Sequence, residues 1–148
     1  MLDSNTLFSN LRTFLLATFL FGALGAGAEL LLLGHTEEAW QWAPLVLILC
    51  SLVVLLGYAA LRRRVLLRGF QILMLLFVVS GIVGSVLHYQ AKVEFKLEMQ
   101  PDLSGLQLFW EVLQGATVPP VLAPGMMAQL GLLGLVYCYR HPRLMLKP

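Results

Sequence analysis

Four stretches of this sequence are long and apolar enough to bury a whole helix in lipid, and they govern everything else the chain can do. A helix needs about 20 mostly apolar residues to cross a bilayer. The first stretch is Thr13–Gly34, broken only by Glu29, and the others are Pro44–Leu61, Gly69–His88 and Pro120–Tyr139. With 59% hydrophobic and 12% charged residues, the composition agrees. A soluble domain carries roughly 25% charged residues. A soluble enzyme, a disordered chain, a nucleic-acid-binding module and a disulfide scaffold are therefore excluded. The expected fold is an all-α membrane protein, a single domain over 1–148 built as a four-transmembrane-helix bundle. The loop 89–119 is the sizeable connection; the others are short, so consecutive spans should pack as antiparallel neighbours.

Basic residues orient the bundle, because cytoplasmic loops accumulate Lys and Arg. Arg12, Arg62, Arg63, Arg64, Arg68, Arg140, Arg143 and Lys147 fall on one side of the four-span arrangement. Lys92 and Lys96 fall on the other, with Glu37, Glu38, Glu94, Glu98, Asp102 and Glu111. Both termini are expected in the cytoplasm, the membrane being a bacterial inner membrane. The Arg62–Arg64 and Arg68 cluster also suits anionic lipid headgroups, although its role in topology is enough to explain it. Arg12, the run Phe14–Leu24 and Ala26-Gly27-Ala28 resemble a secretory signal with a cleavage site. The run continues through Leu30–Leu33 to spanning length, so retention as an anchor is expected instead.

Cys50 and Cys138 lie at different depths, and no cysteine pair stands in either external loop. Four-span thiol oxidases depend on such pairs, which disfavours that chemistry. Both cysteines read as small buried hydrophobes.

Glu29 is the most informative single residue, since an acid within a span normally faces the bundle interior. Gly22, Gly25 and Ala26 share its helical stripe. Small residues on such a stripe admit a close neighbour. Gly81, Gly84, Ser85 and His88 form a matching stripe on the third span. If the two stripes meet, Glu29 and His88 come within a turn or two in depth and could serve a proton relay or a quinone headgroup. A plain packing seam is the simpler reading. His35, Glu37, Glu38 and His88 reach the same outer surface and are competent ligands for zinc, iron or, through the histidines, haem. Gly34 is expected to end the first helix, and Thr36 to cap the next turn with Glu37 and Glu38 behind it.

Lys92–Gln100 alternates polar and apolar residues, the pattern of a strand with one wet face. Paired antiparallel with a copy of itself about Phe95, it would set Lys92 against Glu98 and Glu94 against Lys96, which suggests a homodimer through strand 92–100. Pro101-Asp102 marks a turn. Ser104 with Gln107 then opens a short amphipathic interfacial helix through Gln114, which Gly115 can end.

No nucleophile–base pair, phosphate loop or metal motif is present. The first expectation is a non-catalytic accessory or assembly subunit of a membrane complex, surrounded by lipid, associating with a membrane-protein partner and carrying no cofactor. The alternative is a redox or transport component using Glu29 and His88 with a quinone, haem or metal.

Overall fold

In a computed structural model of the chain, residues 3–114 and 122–145 are described. They form α1 (Ser4–Leu32), α2 (Trp42–Leu61), α3 (Arg64–Met99), α4 (Gly105–Gln114), α5 (Leu122–Cys138) and α6 (Pro142–Met145), with a 3-10 turn at Ala39–Gln41. The first three are long and apolar enough to cross a membrane. With 17 residues, α5 reaches about 25 Å, somewhat short of the roughly 30 Å hydrocarbon core. The expected start of the fourth span at Pro120, like the expected Gly115 stop, falls outside the described residues.

Local chemistry places the breaks. Gly34 takes a left-handed backbone (φ +63) just past the end of α1. The amide of Gly34 donates to the carbonyl of Leu31 at 3.1 Å, and that of His35 to Leu30 at 3.0 Å. This is a Schellman close, which satisfies carbonyls the helix leaves open. Arg62 (φ 53) ends α2 in the same left-handed region, and α3 begins two residues later. Pro44 and Pro124 stand in the first turns of α2 and α5, where a missing amide costs no helical hydrogen bond.

Packing centres on α3. Its buried residues are Leu67, Phe70, Met74, Phe77 and Gly81, spaced alternately by three and four. That is the seam of a left-handed helix pair. Ile48, Ser51, Leu55 and Tyr58 repeat the spacing on α2. The closest approach is between α3 and α5, which run antiparallel. A Cβ added to Gly81 would lie 2.6 Å from the Ala128 nitrogen, and one added to Gly131 would lie 2.6 Å from the Met74 oxygen. Backbones meet at both points, as small residues permit. Ser51, buried at the centre of α2, donates its hydroxyl to the Ile48 carbonyl at 2.8 Å. Around this core, Phe21, Leu32, Leu56 and other large apolar side chains are exposed, the outward face a lipid-embedded bundle presents.

Three expectations need correction. First, residues 92–100 are not a strand; Lys92–Met99 continues α3, and no strand occurs among the described residues. A lone strand leaves its backbone unpaired, whereas extending an existing helix needs no new nucleus. Ala, Lys, Glu, Leu, Met and Gln are also strong helix formers. The less exposed positions are Tyr89, Lys92, Val93, Lys96 and Leu97, a helical stripe hidden inside the alternation. The ladder proposed for a homodimer about Phe95 goes with the strand.

Second, the predicted glycine stripes of α1 and α3 do not face each other. Gly81 and Gly84 pack on Pro124 and Ala128, so the α3 stripe meets α5, and Gly22 of the α1 stripe packs on Leu130 of the same helix. Nothing lies within 4 Å of a Cβ at Gly25, and Glu29 is exposed. Helix α5 offers α3 the small residues Ala128, Gly131 and Gly134, and the two backbones close on each other there. Helix α1 instead reaches the core through Phe19, edge-on to Phe70 at 5.3 Å.

Third, Thr36 does not cap the turn after α1. The Gln41 side chain reaches back, its Oε1 accepting from the amides of Glu37 (2.8 Å) and Glu38 (3.2 Å). The Thr36 carbonyl accepts from Trp42 Nε1 at 3.0 Å.

At 36 residues, α3 is about 54 Å long and overruns the bilayer by several turns. The chain then reverses at Pro101-Asp102, as expected, and α4 opens after Ser104. It packs back on the overrun through Tyr89–Phe109 at 6.0 Å and Lys96–Glu111 at 3.0 Å. The expected interfacial helix is thus half of a helical hairpin.

Candidate functional site

The end of the bundle that carries the α1–α2 connection holds most of the residues singled out above. The Schellman close directs the chain at His35, and His88 stands two turns beyond Gly81 on α3. Ser85, between them, donates to the Gly81 carbonyl at 2.8 Å. The two imidazoles lie 6.1 Å apart, centroid to centroid, and are nearly parallel (12°). Of the expected groups, this pair is brought together. Glu37 and Glu38 are exposed on the connection. Among the described residues no three His, Cys, Asp or Glu side chains gather closely enough to hold a metal ion. Nor does a hydrogen bond or ion pair join Glu29 to His88 among them. Two imidazoles supply two nitrogen ligands, the number of axial positions on a haem iron but two short of the four that a zinc ion ordinarily takes.

The opposite end contains an arrangement the sequence reading missed. His141, just past α5, packs against the rings of Tyr58 at 5.9 Å and Tyr137 at 5.6 Å. Arg62 lies over the Tyr58 ring, 5.8 Å from its centroid. Arg12 donates from its guanidinium to the Arg140 carbonyl at 3.0 Å, tying the start of α1 to the end of α5. The signal available in sequence was the clustering of Tyr and Arg at helix ends. It marks an interface, but not which ring meets which.

His141 titrates below the ordinary imidazole value of 6.5, first because of burial and then because Arg12 and Arg143 repel a second positive charge. Its Nδ1 accepts the Arg143 amide at 3.2 Å, which also requires an unprotonated nitrogen. The unfolded chain therefore takes up the proton first. Its contribution to stability is complete above pH 6.5 and declines as pH falls through that value toward the lowered one. Thermal unfolding in detergent should show the parent losing more stability on acidification than His141→Gln. Equal losses would refute the assignment.

These features define an integral membrane protein of the helical-bundle class, with a histidine pair at one end and an arginine–tyrosine cluster at the other. Compared with known proteins, the chain matches no family, no curated protein and no solved structure. Its function must be argued from its own residues.

Proposed function

We propose that the chain is a small polytopic inner-membrane protein acting as a non-catalytic accessory or assembly subunit of a larger membrane complex. One observation carries this reading: the hairpin of α3 and α4 presents large apolar residues beyond the bilayer. Phe95 is 65% exposed and Met99 70% on α3, and Leu106 78% and Trp110 54% on α4. Each pair is one helical turn apart. Apolar side chains held clear of lipid are the mark of a surface that another protein covers. Phe95 thus keeps an interaction role, on a helix face in place of a strand.

In this reading α5 is the fourth span. Its register supports that, because Pro124 packs at Gly84 while Cys138 and Arg68 line one groove, so α5 accompanies the apolar length of α3. The Arg12–Arg140 hydrogen bond supports both termini lying on the arginine-rich side, the cytoplasmic one under the positive-inside rule. Purification of the full chain in mild detergent tests the proposal. A partner at fixed stoichiometry is expected, lost in Phe95→Glu with Trp110→Glu while the thermal stability of the chain itself is kept. Isolation without a partner would remove it.

Glu29 gives a second test. Because it is exposed, Glu29→Leu should change the stability of the isolated chain by less than about 0.5 kcal/mol. Association should weaken if a neighbouring subunit covers the acid, as an intramembrane carboxyl ordinarily requires. Destabilisation of the isolated chain would show that Glu29 serves the bundle itself.

The His35–His88 contact favours a second reading, a redox or transport component in which a quinone, haem or metal meets these histidines and Glu29. A stoichiometric cofactor in the absorbance spectrum or metal content of the purified chain would establish it.

A further inference from the structure

On the arginine-rich end, two segments far apart in sequence form one groove of about 370 Å³. Arg64, Arg68 and Gln71 come from the first turns of α3, and Arg140 from the turn after α5. Positions 64, 68 and 71 are four and three apart, which aligns them on one helix face. Arg140 closes the groove from the other side. Its left-handed backbone (φ 47) redirects the chain there, Arg12 holds its carbonyl at 3.0 Å, and its guanidinium stacks 5.7 Å from the Tyr139 ring centroid. Leu144 and Met145 of α6 supply an apolar wall. Among the described residues, no Asp or Glu lines the groove.

Topology accounts for the number of arginines on this side, but not for the convergence of three of them on one cavity. A guanidinium presents paired donors that match phosphate oxygens. The positive end of α3 opens at Arg64 and adds to the field. The groove also sits where the apolar length of α3 begins, which is the level of lipid headgroups if α3 spans the bilayer as proposed above. We infer that Arg64, Arg68 and Arg140, with Gln71, form a binding site for a phosphate ester. The phosphate belongs either to an anionic phospholipid, whose acyl chain the Leu144–Met145 wall would accept, or to a soluble phosphate compound.

The test uses the full chain in neutral detergent, titrated with phosphatidylglycerol or with phosphatidylcholine and followed by thermal unfolding. Phosphatidylglycerol is expected to raise the unfolding temperature and phosphatidylcholine to leave it unchanged. Arg68→Gln with Arg140→Gln should weaken the apparent affinity about thirtyfold, the effect of two arginines at headgroup level. Both side chains are exposed, so these changes do not threaten the core, and the corresponding Lys variants should recover part of the loss. Arg63→Gln, outside the groove, should keep parental affinity. Inorganic phosphate competing for the site would assign it to soluble phosphates, and failure to compete would assign it to lipid. Unchanged affinity in the double Gln variant, or an equal loss in Arg63→Gln, would overturn the site and leave only diffuse surface charge.

Discussion

Replacing Gly131 by leucine is expected to cost about 3 kcal/mol and to separate α3 from α5. The first atom of the new side chain would already stand 2.6 Å from the Met74 carbonyl oxygen and 2.9 Å from the Val78 nitrogen. Both are backbone atoms of a continuous helix, so no rotamer change relieves the overlap. In lipid the apolar transfer term between helices is missing, and close packing supplies most of the association. Losing backbone contact therefore removes the main attraction together with the fit. Gly25→Leu is the control, since nothing lies within 4 Å of its Cβ position; its effect should stay below about 0.5 kcal/mol. Thermal unfolding in detergent measures both. Parental stability in Gly131→Leu would mean that something other than this seam holds α3 and α5 together.

The second large effect is expected at Phe19. Among the described residues α1 contributes Phe19 and Ala23 to the fully buried core, and Phe19 does most of the joining. Its ring is edge-on to Phe70 at 5.3 Å and tilted to Phe77 at 6.1 Å. Phe70 in turn meets Tyr137 of α5 at 6.2 Å, so one aromatic cluster ties three helices. Phe19→Ala should cost about 3 kcal/mol through the cavity it leaves. The loss should fall on α1, seen as faster amide exchange along that helix while α3 and α5 stay protected. Phe21→Ala, at an exposed position, should leave exchange unaltered. Uniform loosening of all helices in Phe19→Ala would show instead that α1 is integral to the bundle.

Much of the candidate site was legible residue by residue and not as an arrangement. Gly34 was readable as a helix stop, because a residue without Cβ takes the left-handed backbone at little cost. His35 and His88 were placed on one surface by helix length alone, and the structure brings them into contact. That Glu29 is exposed, with no hydrogen bond or ion pair to His88, was not readable. Within a uniformly apolar span, hydropathy has the same value on every face, so it cannot say which face meets a helix and which meets lipid. The seam spacing of Leu67, Phe70, Met74, Phe77 and Gly81 was hidden for the same reason.

By itself, then, the sequence determined that this is a membrane protein of long apolar helices. It also determined where those helices break and which side collects the arginines. These properties depend on local composition and on single residues such as Gly34, Pro101 and Ser104, whose preferences act within a few residues of themselves. Only the tertiary structure decided that the glycine stripe of α3 packs against α5, that Glu29 faces outward, and that 92–99 is helix. In each case the sequence pattern was compatible with two arrangements. An alternating segment can be a strand or an amphipathic helix, and a small-residue stripe accepts any smooth partner. The choice fell to which neighbour could bring its backbone closest, and that depends on residues tens of positions away in the chain.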